Sequence, residues 1–130
     1  MTITIPPELV PLLRDGAYFD LHGQAAEICE HVEPRDRGDV CGEVNECLDR
    51  AQRARALLDI VGWLEPVEAS PVEVDAREHH DALVRALLTR IGVERGVDDD
   101  SETSPGERAE AKVRAGQLAG LLQQVEEGGA

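Results

Sequence analysis

Apolar residues recur at helical spacing in four separate stretches of this 130-residue chain. The first covers residues 7–32, where four apolar side chains follow one another at steps of three and four, as on one face of a helix. They are Leu21, Ala25, Ile28 and Val32. Gly16 interrupts this stretch and predicts a break between a short helix over residues 7–15 and a longer one from Tyr18.

The second stretch has the most regular pattern and follows a polar loop over residues 33–39. Asp36 or Asp39 is expected to cap the N-terminus of its helix, because an aspartate side chain can accept hydrogen bonds from the first free backbone N–H groups. Gly62 is expected to end the helix. The apolar face comprises Val40, Val44, Cys47, Leu48, Ala51, Ala54, Leu58 and Val61.

A linker over residues 65–74 contains two prolines, which disfavour helix, and separates the second stretch from the third. Asp75 and Glu78 stand at the spacing of a helix cap with an acidic residue at its third position. The apolar face that follows comprises Ala76, His80, Leu83, Leu87 and Ile91. The acidic residues 97–103 are expected to form a solvated loop.

The fourth stretch carries the clearest start signal. Ser104, Pro105 and Glu107 have the spacing of an N-cap, a first helical proline and an acidic third residue. The apolar face comprises Ala111, Ala115, Leu118, Leu122 and Val125. Residues 127–130 are expected to form a disordered tail.

Amphipathic helices bury their apolar faces against one another, so the pattern predicts an all-α fold, a small bundle of three to five helices. We expect a single domain over residues 1–126. At its start, residues 2–5 alternate polar and apolar, which predicts a short extended N-terminal arm. Ile3 and Ile5 would pack on the bundle or pair with a second copy.

The first nine residues, an alternating strand that leads into a helix, resemble the opening of a ribbon-helix-helix repressor or antitoxin. The resemblance implies a strand that reads DNA in a dimer. Such a strand is basic, whereas this one has no Lys or Arg. We therefore interpret it as a packing arm.

The net charge of the chain disfavours some classes of binding partner. With 27 acidic and 13 basic residues the net charge is -14, which disfavours direct binding to nucleic acid or to anionic lipid, because both require basic side chains. No apolar run approaches the roughly 20 residues that span a bilayer, and the first residues do not resemble a secretory signal. We expect a cytoplasmic protein whose three cysteines are thiols.

Cysteine and histidine could form a metal site from Cys29, His31, Cys41 and Cys47. Their spacing lacks the short knuckles of structural zinc sites, and Cys47 falls on the apolar face of the second helix. A di-iron site would need inward-facing Glu-x-x-His pairs, which the chain does not contain. No cofactor is predicted.

Catalysis has little support in the sequence. The chain has no nucleophile elbow, no phosphate-binding loop and no dinucleotide fingerprint. His79 and His80 could carry acid–base chemistry, but a single histidine on an apolar face is usually a core residue. A non-enzymatic role is favoured.

Two surfaces remain as candidate sites. Interface anchors are expected among Tyr18, Phe19, Trp63 and Leu64, because the only three aromatic residues of the chain lie near predicted helix ends. An acidic surface is expected from Glu94, Asp98, Asp99, Asp100 and Glu102.

These surfaces favour a non-catalytic protein–protein interaction module, a regulatory or accessory factor whose protein partner the sequence does not identify. A homodimer would add core to a small bundle. The first alternative is an acidic inhibitor that mimics nucleic acid in the basic groove of a partner. The second is a metal-binding bundle.

Overall fold

A computed structural model describes the backbone of residues 1–31 and 42–129, and the side chains of residues 1–26 and 45–128. Over these ranges the chain forms four helices and two short strands. In chain order they are β1 (Thr2–Ile5), α1 (Val10–His31), α2 (Gly42–Val61), β2 (Val72–Asp75), α3 (His80–Asp99) and α4 (Pro105–Gly129). The predicted all-α bundle with an extended N-terminal arm is confirmed.

Helix α3 lies in the middle of the bundle. It packs against α1 on one side and α4 on the other, while α1 also packs against α2. Helix α4 contacts mainly α3 and β1, so its attachment depends on those two elements. The largest fully buried apolar side chains are Ile5, Leu13, Leu57, Leu58, Val74, Leu83, Leu87, Leu118 and Val125.

The N-terminal arm pairs within its own chain. β1 and β2 are antiparallel, with Ile3 opposite Val74 and Ile5 opposite Val72. Ile3, Ile5 and Val74 are buried, so this face of the two-stranded sheet is part of the core. The packing of the arm is as predicted, but its partner strand lies in the segment that the sequence indicated as a linker.

The predicted break at Gly16 is wrong, because α1 continues through this residue. Gly16 lies against α3, where a Cβ atom on it would be only 2.2 Å from the carbonyl oxygen of Ala86. The glycine therefore permits close helix packing rather than ending a helix. Val32 and the predicted caps Asp36 and Asp39 lie outside the described residues.

Helix α2 ends at a glycine, and an arginine from α1 caps its C-terminal carbonyls. Gly62 has a φ of 93°, the left-handed conformation that glycine adopts without strain, and ends the helix as predicted. The buried Arg14 of α1 donates from Nε to the Gly62 carbonyl at 2.8 Å and from Nη2 to the Val61 carbonyl at 3.3 Å. These bonds satisfy helix-end carbonyls and fix the start of α1 beside the end of α2.

Helix α4 begins as predicted, since the Ser104 hydroxyl accepts a hydrogen bond from the Glu107 N–H at 3.3 Å. Its C-terminus differs from the prediction. The helix continues to Gly129, and Gly128 is buried against Ala76, Met1 and Ile3. The predicted tail is therefore helical up to Gly129. Helix α3 likewise extends to Asp99, into the segment predicted to be a loop.

Asp75 caps the turn of residues 76–79 that leads into α3. Its Oδ1 accepts hydrogen bonds from the N–H groups of Arg77 at 2.9 Å and Glu78 at 3.2 Å. The pKa of Asp75 is lowered from its ordinary value of 3.8, first by the bond from Glu78 and then by the bond from Arg77. The N-terminal ammonium, 3.5 Å away, acts in the same direction.

We expect Asp75→Asn to destabilise the protein at neutral pH but not in acid. A carboxyl whose pKa is lower in the folded state stabilises the fold above its unfolded pKa, and this contribution disappears as the pH falls through the folded pKa. Thermal unfolding of both proteins at pH 7 and below pH 3 measures the difference. Glu73→Gln on β2 is the matched control. A destabilisation that is the same at both pH values would contradict this prediction.

Candidate interaction surface

Exposed and mainly aromatic side chains from α1, from α3 and from the segment after α2 form one patch on the surface. We call it the aromatic surface, and it comprises Tyr18, Phe19, His22, Trp63 and Val93. Phe19 is 68% exposed, Tyr18 44% and Trp63 39%. Tyr18 lies between two of these residues, because its ring centroid is 4.6 Å from that of His22 and 6.3 Å from that of Trp63.

The helical period of α1 places these side chains on the surface. Leu13, Ala17 and Gln24 are buried, so the residues between them, Tyr18 and Phe19, point away from the core. Trp63 follows the positive-φ Gly62, which brings its ring edge-on to Tyr18 at an interplanar angle of 85°. The indole Nε1 donates to Asp59 Oδ1 at 2.7 Å and thereby fixes the orientation of the ring.

A groove of about 450 Å³ lies between α1 and α3 beside the aromatic surface. It is lined by Asp15, Gly16, Tyr18, Phe19, His22, Thr89, Arg90 and Val93. Gly16 adds no side chain to it, and the exposed Phe19 and Val93 give it apolar walls from the two helices. The groove is therefore open, largely apolar and continuous with the exposed rings.

The structure brings together three of the four predicted anchors. Tyr18, Phe19 and Trp63 belong to one surface, whereas Leu64 is 84% exposed on the segment that follows Trp63. Val93 was missed by sequence reasoning. The sequence does contain a signal for it, because Val93 is apolar and yet does not fall on the predicted buried face of α3.

Glu94 is not part of an acidic surface, which corrects that prediction. It is 1% exposed, and its two carboxylate oxygens accept from different arginines. Arg90 Nη2 of α3 donates to Oε1 at 2.7 Å, and Arg114 Nε of α4 donates to Oε2 at 3.0 Å. Arg90 also lies 3.9 Å from Asp15 of α1. A chain of charges therefore joins α1, α3 and α4.

The other four predicted acidic residues lie together near the end of α3. Asp99, Asp100 and Glu102 are exposed, and Asp98 is partly buried. The backbone carbonyl of Asp98 accepts from Arg108 Nε at 2.9 Å. The acidic candidates thus occupy one end of the bundle instead of one long face.

Several arginine side chains are engaged within the described part of the molecule. Six of the described arginines make a hydrogen bond or ion pair with a carboxylate or a backbone carbonyl, namely Arg14, Arg53, Arg85, Arg90, Arg108 and Arg114. Arg85, for example, pairs with the buried Asp20 at 3.4 Å and so joins α3 to α1. The carboxylates outnumber the arginines, so the excess negative charge faces solvent.

Of the four candidate metal ligands, only Cys47 has a described side chain. The side chains of Cys29, His31 and Cys41 lie outside the described part of the chain, and Cys47 is buried in α2. Among the described side chains, no group of three or more His, Cys, Asp or Glu residues could hold a metal ion.

His79 and His80 border a cleft of about 570 Å³ between α2 and the start of α3. His79 Nε2 lies 3.9 Å from Glu78, and Arg53 crosses the cleft to Asp81 at 2.6 Å. His80 Nδ1 is buried and has no hydrogen-bond partner among the described residues. The histidines therefore lie beside Glu78 and beside the ion pair of Arg53 and Asp81.

None of the described helices is long and apolar enough to cross a membrane. Comparisons with protein-family models, with curated proteins and with solved structures gave no match. The functional interpretation therefore depends on the residues themselves.

Proposed function

We propose that the chain is a non-catalytic protein–protein interaction module, a regulatory or accessory factor of the cytoplasm that binds a protein partner through the aromatic surface. The observation that carries this proposal is the placement of the aromatic residues. The chain has one Trp, one Tyr and one Phe, and all three are exposed side by side while aliphatic residues fill the core.

Exposed rings of this kind are suited to binding. Covering a large apolar side chain on association contributes roughly 1.5–3 kcal/mol, and aromatic residues are enriched among the anchors that dominate protein interfaces. Trp63 and Tyr18 are also held in place, by the bond to Asp59 and by their mutual contact. Less side-chain entropy is then lost when a partner binds.

The test is capture of partners from a lysate of the cells that make the protein. We expect the wild type to retain a specific protein that Phe19→Ser does not retain. Val113→Ser is the matched control, because Val113 is 61% exposed on α4, outside the aromatic surface. Titration with the purified partner should then show a Kd weakened at least about tenfold by Phe19→Ser and unchanged by Val113→Ser.

Two results would contradict the proposal. One is a set of captured proteins that is the same for wild type, Phe19→Ser and Val113→Ser. The other is an equal loss of binding in both variants, which would indicate a general effect of the substitutions and not a specific surface. Circular dichroism of each variant confirms that the fold is intact before binding is measured.

A further inference from the structure

We infer that the groove between α1 and α3 receives a large apolar side chain from a positively charged segment of the partner. This inference rests on the proposed function and adds to it the chemistry of the partner. Two observations carry it, the shape of the groove and the charge around it, together with the argument that two copies of this acidic chain would repel each other.

The groove has the size and the walls for an apolar anchor. Its volume of about 450 Å³ lies within the range of roughly 300–1,000 Å³ that encloses small ligands. Phe19 of α1 and Val93 of α3 form apolar walls on opposite helices. A single large aliphatic or aromatic side chain would cover both walls and exclude water from them.

The charge around the aromatic surface is negative. Asp15, at the edge of the groove, has a carboxylate that is 63% exposed, and the exposed Asp59 and Glu65 lie near Trp63. Arg90 also borders the groove, but its guanidinium is paired with Glu94 and faces Asp15. A Lys or Arg on the partner would therefore meet the exposed carboxylates of Asp15, Asp59 and Glu65 and the faces of electron-rich rings.

A second copy is disfavoured as the occupant. It would carry the same net charge of -14, and two strongly acidic molecules repel each other as they approach. A basic segment is attracted instead. The negative electrostatic field of the protein accelerates its approach, and the carboxylate of Asp15 favours its bound orientation. Charge complementarity thus selects a basic partner segment over a dimer.

The experiment uses a displayed library of random 12-residue peptides as the probe. Peptides are selected on the wild-type protein and depleted on the Phe19→Ser protein, so that only those that depend on the aromatic surface remain. We expect the enriched sequences to combine Lys or Arg with one large apolar residue. The most enriched peptide is then synthesised, and its Kd is measured by fluorescence anisotropy.

We expect Val93→Ser to weaken this Kd about tenfold, because it removes one apolar wall. Asp15→Asn should weaken it about threefold at low salt and have less effect at 0.5 M NaCl, where exposed charges are screened. Val113→Ser should leave the Kd unchanged. Asp15 and Val93 are exposed, so neither substitution is expected to impair folding.

Other outcomes separate the two proposals. Enriched peptides without net positive charge, still dependent on Phe19, would overturn the basic partner but leave the interaction module standing. A peptide Kd that is unchanged by Val93→Ser would overturn the proposal that the groove binds the anchor side chain. A dimer seen by sedimentation and abolished by Phe19→Ser would assign the surface to a second copy. The proposed function itself would be overturned by the two results of the lysate experiment given above, unchanged capture or an equal loss of binding in Phe19→Ser and Val113→Ser.

Discussion

Replacing Gly16 by alanine is expected to lower the free energy of unfolding by about 3 kcal/mol, the upper part of the range for overpacked sites. The new methyl group would stand 2.2 Å from the Ala86 carbonyl oxygen and 2.9 Å from its carbonyl carbon. Both atoms belong to the backbone of α3, so no side-chain rotation relieves the clash. The two helices must separate, and contacts along their whole interface weaken.

Gly23→Ala is the matched control for this prediction. Gly23 lies in the same helix, and a Cβ atom there would have no neighbour within 4 Å. Alanine is the better helix former by about 1 kcal/mol, so this variant should be as stable as the wild type or slightly more stable. Urea unfolding followed by circular dichroism measures both variants. Equal stability of Gly16→Ala and Gly23→Ala would show that the α1–α3 contact is not as close as described.

Replacing Glu94 by alanine is expected to destabilise the protein by about 3 kcal/mol, because removing one member of a buried ion pair leaves its partners without compensation. Arg90 and Arg114 would then face each other across the cavity that the carboxylate occupied. The effect should fall mainly on α4, which depends on α3 and β1 for its attachment. Hydrogen exchange should therefore accelerate more in residues 105–129 than in α1.

Glu110→Ala is the control for the loss of a carboxylate beside Arg114. Its side chain is 75% exposed and 3.9 Å from Arg114, a surface pair that contributes at most about 1 kcal/mol. We expect a change within about 0.5 kcal/mol and no change in the exchange of α4 amides. If Glu94→Ala proved equally mild, the buried charge network would not be what holds α4 on α3.

Local signals predicted much of this fold. The Ser104 cap, the Gly62 stop and the apolar face of α4 depend on neighbours in sequence, so their spacing was sufficient. β2 was not predicted, because strand pairing with β1 joins residues more than 65 positions apart. Gly16 was misinterpreted for a related reason. A glycine can break a helix or admit a neighbouring backbone, and only the position of Ala86 decides between them.

The candidate site was predicted in part. The scarcity of aromatic residues drew attention to Tyr18, Phe19 and Trp63, but their contact and the adjoining groove are tertiary features. Glu94 was assigned to a surface because it begins an acidic run. Glu94 lies three residues after Ile91 and seven after Leu87, so the helical period places it on the buried face of α3. This spacing was a better guide to its burial than the acidic composition of the segment.

The sheet at the start of the chain has a consequence for synthesis on the ribosome. β1 is made well before its neighbours β2 and α4. Until residues 72–75 have left the exit tunnel, the unpaired edge of β1 and its isoleucines are exposed to any extended chain nearby. A nascent chain stalled before that point is therefore expected to be more prone to aggregation than one stalled after it.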